Sequence, residues 1–244
     1  MPCQPDCKHE VYIWLKNKQT CLLCDEHSDG PLPVCVACET ELPWLGDHCL
    51  QCALPLPAHG LSCGQCLKRP PAFTEVIAPW LYDFPVDSLI TRFKHQSQWP
   101  MGRLLAELAG QFLQHRFDEG LTRPDCLLPV PLATRRLRQR GYNQAGMLAA
   151  WLGKTLNLPV DDRQLLRVRE TAAQQDLDAK SRKHNLNGAF KVVDAAWVQG
   201  RHLALVDDVL TTGSTADVIA RTLLRSGARR VDVYCLARTP RPED

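Results

Sequence analysis

An apolar run beginning at Leu203 ends in two adjacent carboxylates, Asp207 and Asp208, and a turn of hydroxyls and glycine follows: Thr211, Thr212, Gly213, Ser214, Thr215. The carboxylates can accept hydrogen bonds from ribose hydroxyls, directly or through a bound metal. The N–H groups and hydroxyls of the turn can wrap a 5′-phosphate at the start of a helix. Gly213 allows close backbone approach to that anion. This order suits a sugar phosphate. The plainer reading is a buried strand–helix unit with an acidic turn.

A second anion-facing element lies upstream. The apolar run Cys126–Val130 leads into Pro131, Leu132, Ala133 and Thr134, a stiff turn, and then into Arg135, Arg136, Arg138 and Arg140. Gly141-Tyr142-Asn143-Gln144 carries the chain into a helical pattern. Pyrophosphate or nucleic acid needs N–H donors and cations, and arginine geometry matches phosphate. Against that stands an exposed basic loop without a ligand. A third element, Glu170 to Phe190, holds Gln174, Leu177, Arg182, Asn185, Gly188 and Ala189, with Lys180, Lys183 and His184 making it basic. It reads equally as a lid over a substrate and as a surface loop.

Eight of the twelve cysteines fall in CxxC pairs: Cys21/Cys24, Cys35/Cys38, Cys49/Cys52 and Cys63/Cys66, each pair starting fourteen residues after the last. Two residues between thiolates form a knuckle that aims both sulfurs at one ion, and two knuckles complete a tetrahedral site. Two structural Zn²⁺ ions are expected. Four cysteines around each ion leave no open position, so the metal is not catalytic. Spacing alone leaves sequential and crossed pairing of the knuckles open. Cys3 and Cys7 stay unassigned, while Cys126 and Cys235 sit in strand-like runs and are expected in the core.

The elements needed to position these groups follow from periodicity. Phe73–Tyr82 predicts a strand. Asp87 or Ser88 caps a helix bearing Leu89, Ile90 and Phe93, with Lys94 near its end. Pro100 opens another with Leu104, Leu105, Leu108, Phe112 and Leu113 as its stripe. Cys126–Val130 predicts a strand and Tyr142–Leu156 a helix. Arg201–Val206 predicts a strand, Ser214–Ser226 a helix stopped by Gly227, and Val231–Ala237 a last strand. The fold class is α/β, a doubly wound parallel sheet, in which ligands sit beyond the carboxyl ends of strands. A boundary falls at Lys68-Arg69-Pro70-Pro71, giving an extension over 1–20, a double zinc module over 21–67 and a larger domain over 72–239. At 244 residues with 45% hydrophobic content the chain can bury one sizeable core, and its net charge of +2 selects no partner class. No apolar run approaches a membrane span, so no membrane insertion is expected. The N-terminus lacks the pattern of a signal peptide, and the cysteine usage suits a reducing cytoplasm.

The segment around Asp207 and Asp208 resembles the phosphoribosyl pyrophosphate (PRPP) motif of type I phosphoribosyltransferases. Together with the four knuckles, Arg140-Gly141-Tyr142-Asn143-Gln144, and Gln174 through Arg182-Lys183-His184-Asn185 to Gly188-Ala189-Phe190, it makes the chain similar to the competence protein F (ComF) family. That family is described as phosphoribosyltransferase-like with an N-terminal double zinc ribbon. Tyr142 stands where phenylalanine is more usual. The resemblance implies a cytoplasmic protein associated with DNA uptake or utilisation, with PRPP and Mg²⁺ as ligands. Single-stranded DNA and DNA-translocation proteins would be partners. It also implies that Asp207 and Asp208 hold the ribose, that Thr211–Thr215 hold the 5′-phosphate, and that Pro131–Thr134 with Arg140 face pyrophosphate. Two functions fit: transfer of ribose 5-phosphate to a nitrogen nucleophile, or a non-catalytic module gripping single-stranded DNA. In the second, Trp44, Trp99 or Tyr142 would stack on bases, although core burial is the commoner fate of tryptophan. No segment announces a purine or a pyrimidine.

Overall fold

The computed structural model describes residues 19–58, 60–169 and 188–241. Two compact units form, Met1–Leu42 and Pro43–Asp244. Cys3 and Cys7 lie outside the described residues, as do Gln174, Leu177 and Arg182–Asn185.

In the first unit, β1 (Gln19–Thr20) and β2 (His27–Ser28) form an antiparallel ribbon, and α1 (Val36–Thr40) starts directly after Cys35 and carries Cys38 of the second knuckle. Ser28 is buried, and its Oγ donates to the carbonyls of Leu32 and Val34, both at 2.8 Å, fixing the turn that returns the chain to Cys35.

The second unit opens with another ribbon, closed by α2 (Gly64–Lys68). Its main body is a parallel sheet ordered β3 (Val76–Ile77), β9 (Arg230–Arg238), β8 (His202–Leu210), β5 (Cys126–Pro129), with β4 (Trp80–Leu81) also pairing β9. The strand expected over Phe73–Tyr82 is thus two short pieces, broken at Ala78-Pro79, where proline cannot donate to the ladder. Residues 43–45 lie beside β4: Leu81 N donates to the Pro43 carbonyl and Leu45 N to that of Pro79, both at 2.8 Å.

Alternation along the strands feeds two faces. Leu203, Leu205, Val231 and Val233 join Ile219, Ala220 and Leu223 of α8 (Ser214–Arg225) in one core cluster. Tyr234 points the other way, its ring 6.4 Å from Phe117 of α4 (Trp99–Asp118). Packed with α4 are α3 (Val86–Gln96) and α6 (Gln144–Leu156). Cys126 and Cys235 are buried, as expected, and so are Leu104, Leu105, Leu108 and Leu113; Phe112 is half-buried beside Trp44. Val160 bridges Leu127 in parallel on the outer side of β5. The chain therefore leaves β5 one way and returns, through α7 (Ala195–Val198), to β8 on the other, which makes the β5/β8 boundary the topological switch point of a doubly wound sheet.

Several boundaries differ from expectation. The helix expected to be capped by Asp87 or Ser88 starts at Val86 behind Pro85, and the one expected from Tyr142 starts at Gln144. The strand expected to end at Val206 runs on to Leu210, since Asp207, Val209 and Leu210 keep the register with Cys235, Ala237 and Arg238. The basic segment expected as a loop is a helix, α5 (Thr134–Arg140), ended by Gly141 at φ +79°. Arginine, leucine and glutamine are all good helix formers, and left-handed Gly141 is an effective stop.

Candidate functional site

β5 stops at Pro129 opposite Val206, while β8 continues beside β9 for four more residues. That overhang leaves one side of β8 open where its carboxylates stand, and a cleft of about 310 Å³ occupies the step. Asp207, Asp208, Thr211 and Thr215 line it from β8 and the start of α8; Pro131, Leu132, Ala133 and Arg140 line it from the loop and helix after β5. Two segments far apart in sequence thus share one cavity. Thr134, Thr212, Gly213 and Ser214 do not line it. Thr134 starts α5 and is exposed. Gly213 sits at φ +72° ahead of α8, and its carbonyl accepts from Asp217 N at 2.8 Å. Thr212 Oγ1 lies 2.9 Å from Ser214 Oγ across the same turn.

The two carboxylates differ in surroundings. Asp208 is buried and pairs with Lys94, whose Nζ is 2.9 Å from Oδ2; it also accepts from Val209 N at 2.7 Å. Asp207 accepts from Asp208 N at 2.9 Å. Burial, reinforced by the negative charge of Asp208, pushes its carboxyl up to about 7. It therefore carries a proton over much of the acid range, which a cation or a hydrogen-bonded ligand would displace.

Further residues complete the walls. Arg136, from the expected basic cluster, lines the cleft, Lys94 and Arg167 add cations that were not expected there, and Asn143 and Gln144 bring amides. Asn143 Nδ2 donates to the Val130 carbonyl at 3.2 Å, tying the start of α6 to the end of β5. Gln144 is 2% exposed and its Nε2 has no partner among the described residues, a buried donor facing the cleft at a helix N-terminus. The Arg-Gly-Tyr-Asn-Gln string was the available signal for both amides; Lys94 had none beyond its place at a helix end. His95, next to Lys94, is held below its ordinary value first by burial and then by the charges of Arg140 and Lys94, against the opposing charge of Asp208. Arg167, on β6 (Leu165–Arg167), stacks over Phe190 of β7 (Phe190–Val192), 5.5 Å from the ring centroid, and the two strands pair antiparallel.

The cysteines form two separate sets, Cys21, Cys24, Cys35, Cys38 and Cys49, Cys52, Cys63, Cys66, with the sulfurs of each set within 4.8 Å of one another. Pairing is therefore sequential and not crossed. Four sulfurs at about 2.3 Å from a tetrahedral Zn²⁺ stand about 3.8 Å apart; Cys24 and Cys35 are separated by 3.7 Å, and Cys52 and Cys63 by 3.6 Å. Cys63 N donates to Cys49 Sγ at 3.2 Å, which helps hold a thiolate. The donor set fits structural zinc in both places. Among the described residues, no helix is long and apolar enough to cross a membrane.

Residues 18–67 match the family model of the double zinc ribbon domain. The chain is 40% identical over 174 residues to DNA utilization protein YhgH of Escherichia coli, covering 71% of this chain and 76% of that one. It is 35% identical over 208 residues to competence protein F of Haemophilus influenzae, covering 84% and 85%. Among solved structures, glutamine PRPP amidotransferase of Bacillus subtilis is similar at 18% identity over 55% of this chain and 25% of that one, with a TM-score of 0.37, too slight a likeness to add to the strand order described above. The identities with YhgH and competence protein F run through most of each chain, and by them this protein belongs to the competence protein F (ComF) family.

Proposed function

We propose that the cleft binds PRPP with Mg²⁺, in a protein that serves the uptake or use of DNA, as the names of its relatives suggest. The observation that carries this reading is the meeting of the carboxylate pair and Thr211/Thr215 with the loop after β5 and the basic helix α5 in one cleft of about 310 Å³. Asp207 and Asp208 would accept from the ribose hydroxyls, and the Thr211–Thr215 turn would take the 5′-phosphate at the start of α8. Arg136, Arg140 and the Gln144 amide would face the pyrophosphate. Mg²⁺ supplies charge neutralisation to the pyrophosphate when bound. If the bound molecule reacts, the C1–O bond to pyrophosphate breaks, with its electron pair leaving on the pyrophosphate. A bond from C1 to a nitrogen then forms, and the nitrogen gives up a proton. The chain's part is to hold both ends and exclude water. Calorimetric titration of the zinc-loaded protein with PRPP, with and without Mg²⁺, tests the reading beside an Asp207→Asn/Asp208→Asn variant. Magnesium-dependent binding absent from the variant supports it, and a folded wild type that binds nothing refutes it.

A second reading rests on a different observation. No residue of α5 is buried, so Arg135 and Arg138 are exposed on a helix that packs little, and Trp99, 53% exposed, stands edge-on to Tyr142. Such a surface suits single-stranded DNA, by phosphate contact and base stacking. Binding of an oligonucleotide that weakens steeply with salt and survives the double asparagine variant would place DNA outside the cleft.

A further inference from the structure

Arg238, at the end of β9, is 6% exposed. Its Nε donates to the carbonyl of Cys52 at 2.8 Å, inside the third zinc knuckle. Its Nη1 donates to the carbonyls of Leu210 at 3.1 Å and of Thr211 and Thr239 at 2.6 Å. One planar guanidinium therefore joins a metal knuckle to the first residue of the Thr211–Thr215 turn. The fork is rigid, so displacing one acceptor either breaks a bond or swings the others.

The far end of that turn is held from the same direction. Ala72, just beyond the ribbon, donates its N–H to Asp217 Oδ1 at 2.8 Å in the first turn of α8. The Phe73 ring lies under Gly213, 3.6 Å from where a Cβ would stand. Ala53, fully buried at φ +54°, shares a core cluster with Phe73, and Cys52 packs on that cluster. The second ribbon and its exit thus grip the turn at both ends without lining the cleft.

We propose that the second Cys₄ site braces the phosphate turn, with Arg238 as the positioning residue that transmits its state. This rests on reading Thr211–Thr215 as the 5′-phosphate seat. Losing the metal from Cys49, Cys52, Cys63 and Cys66 frees the knuckle, withdraws the Cys52 carbonyl and loosens the turn. Coupling is reciprocal, so an anion in the turn also tightens zinc binding at this site.

The test uses the full chain with two zinc ions bound, and variants Arg238→Gln, Arg238→Lys, Cys52→Ser and, as control, Cys24→Ser in the first unit. Hydrogen exchange at the Asp217 and Thr239 amides, which bond to the Gly213 and Leu210 carbonyls, reports the turn without any ligand. Exchange should quicken on the order of tenfold in Arg238→Gln and Cys52→Ser and stay unchanged in Cys24→Ser. Arg238→Gln, which keeps both zinc ions, should lose ribose 5-phosphate affinity by a similar factor while keeping pyrophosphate affinity; Arg238→Lys should recover little. A merely destabilised protein would lose both ligands together. Unaltered exchange in Arg238→Gln and Cys52→Ser overturns the brace. Quickened exchange in a protein whose wild type ignores ribose 5-phosphate keeps the brace and refutes the phosphate reading instead.

Discussion

Lys94 Nζ lies 2.9 Å from Asp208 Oδ2, and both side chains are largely withdrawn from solvent. Lys94 arrives from the last turn of α3, so the counter-charge for the second carboxylate comes with the fold and not with a ligand. Asp207, one residue earlier, instead carries the burden of burial and of Asp208. The pair is thus divided into one compensated and one strained acid, a division that suits a site where an incoming cation displaces a proton.

Removing Lys94 should therefore cost more than a surface ion pair would. Lys94→Met is expected to lower unfolding free energy by roughly 3 kcal/mol, because it leaves a buried carboxylate without its partner. Adding Asp208→Asn should return part of that loss. A double-mutant cycle by denaturant unfolding measures the coupling, expected at about 1–3 kcal/mol. A value near zero would mean that the two side chains act independently.

Asp207 gives a pH dependence of definite sign. Its carboxyl is raised from an ordinary 3.8 to about 7, so the folded protein holds a proton that the unfolded chain has already released. The stability this contributes is complete below about pH 4 and is lost as pH rises through about 7. Asp207→Asn should accordingly raise Tm at pH 8, on the order of 5 °C, with the gain vanishing at pH 4. Ligand affinity should run the opposite way, rising toward pH 8 more steeply in the wild type than in the variant, with one more proton released on binding. Melting curves and calorimetry in buffers of different ionisation enthalpy check both halves.

The acid pair, the glycine turn and the knuckles were legible because each is a short string whose chemistry is local. So were the helices whose stripes bury Leu104, Leu105 and Leu108. The switch-point cleft followed from alternating strands and helices. What escaped was long-range: Lys94 meets Asp208 across the cleft, Gln144 is an orphaned donor only once α6 is packed, and Arg238 reaches Cys52 across 186 residues. α5 escaped for another reason. It buries nothing, so no apolar period announces it.

Gly213 separates backbone demand from space. A Cβ there would stand 3.6 Å from Phe73, an ordinary contact, but φ is +72°. Gly213→Ala should cost about 1–2 kcal/mol through the left-handed backbone alone. Gly213→Asn should cost less, since asparagine tolerates that region. If both variants lose stability equally, the penalty lies in packing on Phe73 and not in the backbone. Ribose 5-phosphate titration should rank glycine, asparagine and alanine in that order.

Sequential zinc pairing has a consequence that crossed pairing reverses. Cys24 and Cys52 belong to different sets, so Cys24→Ser and Cys52→Ser should each leave one zinc ion per chain, against two in the wild type. The double variant Cys24→Ser/Cys52→Ser should leave none, as each tetrahedron then lacks a thiolate. Were the first and third knuckles to share an ion, that double change would injure a single site and spare the other. Metal content by atomic emission decides between zero and one. Each loss should also unfold its own ribbon, because the metal affinity of such a site is folding free energy. Protease cleavage appearing around residues 49–66 in Cys52→Ser, and around 21–38 in Cys24→Ser, would locate the two losses separately.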